Sequence, residues 1–341
     1  MKTPLQTPAR LYSDERLREL ADGSWLKPFR QQHPLAITLP AAAANVHLRG
    51  AIDMHVHADP CMLATRSQDF TDVAITAAHA GMRAVVRKDH FQSTVGEAYA
   101  VQRHIDDLVA RGALPHRIEV YGGIPVGSLD IVPMQRALRF STFKMIWLNS
   151  VSGERLVEGG RLRPEAERII ALAAEHRRGL NVGAPNHSAQ QYQGIGDYEG
   201  LAPVVEKIKK SGALAVLDHP LSSLTIDEIA NLVGDGVYAG LFCHPSLPSV
   251  AKGAVADPLR TLELVQRVGA GQCIIASDVG MVLEPTQLEA MRLMVRLLLV
   301  LGFGAEEIDA MLKDNPARLL GLESSRPAEG RRPMTFAEVA R

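Results

Sequence analysis

Residues 51–60 read AIDMHVHADP, an apolar run that carries two histidines one residue apart. Side chains alternate between the two faces of a β-strand, so the run predicts that Asp53, His55 and His57 share one face. A packed core has little reason to collect a carboxylate and two imidazoles on one side, because each buried polar group needs a partner to offset its desolvation. The spacing alone is compatible with a hydrogen-bonded pair as well as with a metal site, so the rest of the chain has to decide.

Seven further runs have the same strand-like character, and helical patterns separate them. The eight predicted strands are residues 46–58, 82–91, 117–125, 142–150, 179–185, 213–220, 236–244 and 272–280. Eight strands that alternate with helices predict a (β/α)₈ TIM barrel, because right-handed connections between parallel strands close at that number. The runner-up is a doubly wound open sheet. It usually has a glycine-rich phosphate-binding turn after its first strand, and HADPCMLATRSQD is not such a turn.

The predicted barrel occupies residues 46–322 and ends with two helical segments after the eighth strand. Residues 1–45 form an N-terminal extension with a polar helical pattern and a Pro/Ala-rich linker, which we expect to cap or edge the barrel. Residues 323–341 form a tail that is poor in apolar residues. We expect this tail to be mobile or to lie across a neighbouring subunit.

Composition is that of an ordinary globular protein and argues against several classes of partner. Of the 341 residues, 46% are hydrophobic and 22% are charged, and the net charge of −1 offers no basic excess for nucleic acid. The three cysteines are odd in number and scattered, which indicates a reducing compartment. The sequence has neither a signal-peptide core nor an apolar run long enough to span a membrane. We therefore expect a cytoplasmic protein that acts on a small molecule, and a homodimer, because closed dimers are the commonest assembly.

Side chains that bind metals recur where the predicted strands end. Catalytic groups of (β/α)₈ enzymes lie at this end of the barrel, where each strand gives way to its loop. The candidates in chain order are His55, His57, Lys88, Asp89, His90, His187, His219, Cys243, His244 and Asp278. Histidine, aspartate and a lysine able to become an anionic ligand suit divalent ions such as Zn²⁺, Mn²⁺ or Fe²⁺. We expect Cys243 to pack as a small hydrophobic residue instead.

Three of these motifs resemble those of the amidohydrolase superfamily of metal-dependent hydrolases. They are HVH on the first strand, DH in AVLDHP on the sixth, and SD in IIASDVG on the eighth. The resemblance covers about residues 46–322, including NPARLLGL, which is similar to a segment that follows the last barrel helix in the superfamily. The stretches GMRAVVRKDH, FKMIWLNS and SDVG are similar to an uncharacterised bacterial branch of that superfamily, which supplies no activity to carry over.

The resemblance implies one or two divalent ions (Zn, Mn or Fe). It assigns His55, His57 and Asp278 to the first ion, and it makes His187 and His219 candidates for the second. His187 lies beyond GAPN rather than directly after the fifth strand, so it is either displaced or outside the metal shell. The sequence leaves open whether His90 and His244 bind a metal, support a ligand or contact the substrate.

One part of the superfamily pattern is missing. Its bridging ligand is usually a carboxylated lysine at the end of the fourth strand, but Lys144 lies near the beginning of that strand, and Asn149 and Ser150 lie at its end. Lys88 is better placed, because it shares a face with His90 at the end of the second strand. It either bridges two ions as a carbamate or binds a substrate carboxylate as a cation.

The resemblance implies a hydrolase that uses activated water on an amide, ester, lactone or related bond of a small molecule. Asp278 and Lys88 are the predicted catalytic residues, with Asp278 both binding metal and passing a proton from water to the leaving group. Two alternatives stay open. One is a non-hydrolytic metalloenzyme on the same scaffold, namely a non-haem iron oxygenase, a decarboxylase or a hydratase. The other is a metal-free binding barrel.

Overall fold

The structure, a computed structural model, describes residues 39–148, 154–183, 197–222, 224–247 and 258–322. One parallel sheet contains eight strands in sequence order: β1 (Ile52–Val56), β2 (Ala84–Arg87), β3 (Glu119–Pro125), β4 (Phe143–Trp147), β7 (Gly179–Val182), β8 (Ala215–Leu217), β9 (Val237–Phe242) and β10 (Cys273–Ala276). A short antiparallel hairpin, β5 (Val157–Glu158) and β6 (Arg161–Leu162), lies in the connection after β4.

Helices precede the first strand, lie in the connections between strands and follow the last strand. They are α1 (Asn45–Leu48), α2 (Phe70–His79), α3 (Val95–Ala110), α4 (Val132–Ala137), α5 (Pro164–Glu175), α6 (Tyr198–Ser211), α7 (Ile226–Leu232), α8 (Cys243–Ser246), α9 (Pro258–Val268), α10 (Gln287–Val300), α11 (Ala305–Asp309) and α12 (Asn315–Leu319). A π-helical turn, Ala310–Asp314, joins the last two. None of the helices in the described ranges is both long and apolar enough to cross a bilayer.

The first and last strands meet at their carboxyl ends. Asp278 N donates to His55 O at 2.8 Å, and His57 N donates to Val279 O at 3.1 Å. Each other barrel strand pairs with the next one along the chain, as the predicted (β/α)₈ topology requires. The fold prediction is therefore confirmed. The proposed division at residues 45 and 322 stays a prediction, because nearly all of both flanking segments lies outside the described residues.

The first strand begins later than predicted. Residues 45–48 form a short helix instead of the start of the strand, and the chain then turns at Gly50, whose φ is 78°. Glycine tolerates this left-handed conformation because it has no Cβ. Apolar residues of the stretch 46–52 therefore pack a helical turn against the barrel, and the strand itself starts at Ile52.

A β-bulge interrupts the alternation of β1. Asp53 pairs with Val85 and Val56 with Arg87, so three steps along β1 match two along β2. An extra residue of this kind bends a strand and redirects its side chains. Ile52 and Met54 both belong to the apolar cluster inside the barrel, whereas Val56, beyond the bulge, belongs to the larger cluster on the other side of the sheet.

The bulge overturns the predicted placement of Asp53. Its carboxylate accepts hydrogen bonds from Ser277 N at 3.0 Å and from Gln287 Nε2, at the start of α10, at 2.8 Å. Asp53 thus faces the outer helices and also accepts a hydrogen bond from His55 N at 3.2 Å, while the imidazole of His55 lies on the other face, so the prediction that the two side chains share a face was wrong. Burial raises the pKa of Asp53, against the opposing effect of its hydrogen bonds.

Apolar residues fill both sides of the sheet. The inner cluster includes Met145, Trp147, Tyr238, Phe242 and Ile274, and a larger cluster lies between the strands and the helices. Leu319 and Leu320, from the segment NPARLLGL, join the inner cluster, and the side chain of Asn315 donates to the carbonyls of Ala270 and Cys273. This segment closes the end of the barrel at which the strands begin.

Candidate metal centre

Two histidines of β1 and its loop meet an aspartate that follows β10. His55 Nε2 and His57 Nε2 lie 2.9 Å and 3.1 Å from Asp278 Oδ1. Potential ligand atoms of all three residues lie within 4.8 Å of one another, and the residues are at most 6% exposed. In the described part of the chain, this is the one group of at least three His, Cys, Asp or Glu residues close enough to share an ion.

The backbone holds Asp278 in an unusual conformation. Its φ is 49°, in the left-handed region that costs a non-glycine residue of the order of 1 kcal/mol or more. The hydrogen bond from its N–H to His55 O and the bond from Ser277 Oγ to the same carbonyl, at 3.2 Å, fix the segment. His219, at the end of β8, also has a positive φ, 46°. Such conformations concentrate at functional sites, where surrounding contacts hold the strain.

The arrangement fits a divalent ion. Two ligands about 2.0–2.1 Å from one ion are separated by about 2.8–3.4 Å at octahedral to tetrahedral angles. The separations of 2.9 Å and 3.1 Å lie in this range. In addition, Nε2 of His55, which faces the proposed ion, is buried without a hydrogen bond to any described residue. Buried polar atoms without partners are rare in proteins, and an ion would supply the missing interaction.

Protonation states favour metal binding as well. Burial lowers the pKa of His57 to about 3, against a smaller opposing effect of Asp278, so the imidazole is neutral. Burial alone would raise the pKa of Asp278, but the nearby His55 and His219 hold it well below its usual range. Neutral imidazoles and an ionised carboxylate are the forms in which these side chains bind metals.

His219 contacts the second oxygen of Asp278. Its Nε2 lies 2.8 Å from Asp278 Oδ2, on the side away from His55 and His57. Burial lowers the pKa of His219, but the negative charges of Asp218 and Asp278 outweigh burial, and the net effect is a raised pKa. The predicted role of His219 as a ligand of a second ion stays a prediction.

Lys88 is buried beside the candidate metal centre. It is 3% exposed, its Nζ is 3.8 Å from Asp218 Oδ2, and it lies 5.7 Å from the centre of the Trp147 ring. Asp218 Oδ1 in turn is 3.8 Å from His55 Nδ1. Asp218 therefore links the lysine to the histidine pair, a role that its position beside His219 in the DH motif did not reveal.

Other predicted candidates divide into those near the site and those directed away from it. His90 stacks on His57, with ring centres 4.8 Å apart, and burial followed by the charge of Lys88 lowers its pKa. Asp89 accepts hydrogen bonds from the backbone N–H groups of the two residues at 91–92. The thiol of Cys243 packs against α10, where its Sγ lies 3.5 Å from Ala290 O, as expected of a small hydrophobic residue.

Strands β4 and β7 bring no acidic or histidine ligand from the described residues. Trp147 ends β4, and Lys144 lies 5.4 Å from the ring of Tyr121, near the start of the strand. On β7, Asn181 pairs between Trp147 and Val216, and its buried amide has no hydrogen bond to any described residue. His187, Asn149 and Ser150 lie outside the described residues, so the expected fifth-strand ligand is untested.

Sequence reasoning missed Glu284, in the loop after β10. Its Oε2 accepts hydrogen bonds from Gly280 N and Met281 N at 3.0 Å and 2.9 Å, and its Oε1 lies 2.5 Å from His244 Nδ1. The ring of His244 is centred 6.3 Å from that of His219. A single glutamate in the apolar stretch GMVLEP was the available signal, but its partners depend on how the loop folds.

The fold and the three converging side chains define a (β/α)₈ barrel with a candidate metal centre at the carboxyl ends of its strands. By its sequence the chain belongs to DUF6282, a family of unknown function whose model matches residues 50–240. No curated protein matches it.

Several solved structures have a similar fold. One is named as a probable 2-pyrone-4,6-dicarboxylic acid hydrolase from Acinetobacter baumannii, with citric acid bound; it shares 14% identity at a TM-score of 0.51, over 80% of this chain and 100% of that one. An amidohydrolase from Burkholderia multivorans with bound zinc shares 17% sequence identity at a TM-score of 0.51, over 80% of this chain and 99% of that one. A dihydroorotase from Campylobacter jejuni shares 15% sequence identity at a TM-score of 0.50, over 82% of this chain and 85% of that one. At these identities the likeness concerns the fold, and at that level the predicted resemblance to the superfamily is confirmed.

Proposed function

We propose that this protein is a metal-dependent hydrolase that directs activated water at an amide, ester, lactone or related bond of a small molecule. The convergence of His55, His57 and Asp278 at the carboxyl end of the barrel carries this proposal. Zn²⁺, Mn²⁺ and Fe²⁺ all suit such a ligand set. The proposed site holds one ion on these three residues, and His219 is the candidate for holding a second.

The three ligands leave one carboxylate oxygen for proton transfer. A divalent ion there would supply Lewis acidity, lowering the pKa of bound water from about 16 towards about 7 and polarising a carbonyl oxygen. Asp278 Oδ1 faces the two histidines, while Oδ2 contacts His219 Nε2. In our proposal Asp278 accepts the proton of the attacking water at Oδ2, and His219 orients that oxygen through their contact.

His244 is our candidate for the group that protonates the leaving group. Glu284 Oε1 lies 2.5 Å from Nδ1 of His244, and this contact fixes the orientation of the ring. The Glu284 side chain is only 3% exposed, so the pair is rigid compared with a surface ion pair. A base or acid whose orientation is set by a buried carboxylate is the arrangement that proton-transfer catalysts commonly use.

The test begins with metal analysis of protein purified without a chelator. We expect stoichiometric zinc, manganese or iron, together with hydrolysis of members of an ester, lactone and amide panel that stops when the metal is removed. Protein that is fully folded, contains no metal and gains no activity on metal addition would contradict the proposal and favour the metal-free barrel.

The same ligand set supports a second candidate, a non-hydrolytic metalloenzyme. Two histidines and one carboxylate are also the ligands of non-haem Fe²⁺ centres with open coordination positions. Iron in the purified protein, with oxygen uptake in the presence of substrate, would favour an oxygenase. Release of CO₂ or addition of water without bond hydrolysis would favour a decarboxylase or a hydratase.

We further propose a cytoplasmic homodimer that binds neither nucleic acid nor membranes. The near-neutral net charge and three free cysteines support the compartment and the choice of partners. The dimer rests on the expectation that the flanking segments cross to another subunit. A monomeric mass by light scattering at micromolar concentration would contradict it.

A further inference from the structure

Arg66 is a buried cation beside the candidate metal centre to which no role has been assigned. The residue is 9% exposed, and its Nε is buried without a hydrogen bond to any described residue. Its guanidinium has no ion pair within 4 Å among the residues that the structure describes, although its backbone N–H donates to Asp59 Oδ2 at 3.1 Å. A buried charge without a partner is costly, and a ligand of opposite charge would offset that cost.

The backbone brings Arg66 next to a metal ligand. Arg66 and Met281 form an antiparallel bridge, and Ser67 N donates to Gly280 O at 2.9 Å. Gly280 lies directly on His57, since a Cβ at that position would come within 2.3 Å of His57 O. The loop after β1 is thereby layered on the loop after β10, immediately above the metal ligands.

Positive charges gather on this side of the site. Lys88 is buried just after β2, and His90, two residues further on, stacks on His57 with the ring centres 4.8 Å apart. Lys88 has Asp218 as a partner at 3.8 Å. Of these two cations, Arg66 is therefore the one left with capacity for an incoming anion.

We propose that Arg66 forms a carboxylate-binding subsite, which holds an acidic group of the substrate beside the metal centre. The planar guanidinium presents its donors in a fork that matches the two oxygens of a carboxylate. This assignment rests on the proposed function, because it makes the anion part of the molecule that is hydrolysed. It narrows the substrate class to small molecules that carry a carboxylate in addition to the scissile bond.

Calorimetric titration of the full-length, zinc-loaded protein with malonate tests the subsite without requiring turnover. We expect Arg66→Met and Arg66→Gln to weaken malonate binding by about tenfold or more, the loss expected for one charge-assisted contact. Arg103→Met is the matched control, because Arg103 is an exposed arginine on α3; it should bind malonate like the wild type. Malonamide, which has the same shape without the charge, should bind none of the proteins measurably.

The readout is the difference between variants, since a carboxylate can also bind zinc directly. Circular dichroism and zinc content establish that each variant is folded and contains zinc. Two neutral substitutions of Arg66 are made so that the test still stands if one of the variants does not fold. Wild type that binds no malonate, wild type that binds malonamide equally well, or a folded Arg66 variant with wild-type affinity would each overturn the subsite. Failure to hydrolyse any substrate would contradict the proposed function. It would not change the malonate-binding result, because binding is measured without turnover.

Discussion

Asp278 presents one carboxylate oxygen to His55 and His57 and the other to His219. The sequence predicted this convergence, because the end of the last strand of a closed barrel adjoins the end of the first. Glu284 and Arg66 were not predicted, because strand order does not determine their positions. Both belong to loops, and their partners follow from loop packing that has no period in the sequence.

Replacing Asp278 with asparagine tests the central carboxylate. Asp278→Asn keeps the shape of the side chain but removes its charge and basicity, so we expect loss of bound metal and a fall in kcat of at least about 10²–10⁴-fold. Asp235→Asn is a matched control, since Asp235 is exposed and shares the left-handed backbone, with φ 50°. Measurements of metal content and activity on both variants test this expectation. An Asp278→Asn protein that keeps its metal and turnover would contradict the assigned role.

The loop after β10 depends on Glu284, whose carboxylate binds two backbone N–H groups and His244. Burial opposes ionisation, but these bonds outweigh it and lower the pKa of Glu284 below 4.5. A carboxylate with a lowered pKa stabilises the folded state above the pKa of the unfolded chain. That contribution disappears as the pH falls through the lower folded value.

Glu284→Gln should therefore reduce the free energy of unfolding by about 1–3 kcal/mol near pH 7, because it removes a charged acceptor from buried donors. The difference from wild type should shrink as the pH falls below 4.5. Glu263→Gln, at an exposed position on α9, should change little. Denaturant unfolding at several pH values measures both variants. A difference that is constant with pH would contradict the ionised state of Glu284.

Strands and helices were predicted well, but their internal geometry was not. All eight strands exist, each shorter than its apolar pattern, because the pattern continues into loop residues that are also buried. The bulge in β1 was invisible, since an extra residue changes the face of every following side chain without altering the composition. It separates Asp53 from the candidate metal centre and brings His55 into it.

The contact between the first and last loops requires glycine at position 280. Gly280→Ala would place its Cβ 2.3 Å from His57 O, at a φ of 154°. We expect a loss of about 1–3 kcal/mol of stability from this crowding, together with weaker metal binding. Gly271→Ala is the control, because a Cβ added at Gly271 would meet no other atom within 4 Å. Equal thermal stability and metal affinity of the two variants would show that the loops need not pack this closely.

Closure of the barrel joins fold and function in this protein. The chain elements that form the proposed centre are separated by more than 200 residues in the sequence, and the hydrogen bonds between the ends of β1 and β10 bring them together. The alternation of strands and helices was sufficient to predict this architecture. The choice of metal, the substrate and the assembly depend on short-range geometry and surface detail that the alternation does not determine.

Metal removal should destabilise the whole barrel, because a ligand that binds only the folded state stabilises it by mass action. The effect is about 4 kcal/mol when the free ion is at about 1,000 times its Kd. We expect chelation to lower the melting temperature and re-addition of the ion to restore it. An unchanged melting temperature in protein shown to be metal-free would mean that the ion contributes nothing to the folded state.

Anomalous diffraction from crystals of the metal-loaded protein would show the proposed metal centre itself, because it locates an ion independently of any activity. We predict an anomalous peak with His55, His57 and Asp278 within about 2.0–2.2 Å of it, at the junction of β1 and β10. A peak on other residues, or His55 and Asp278 on opposite sides of the molecule, would contradict the metal centre and with it the proposed hydrolase.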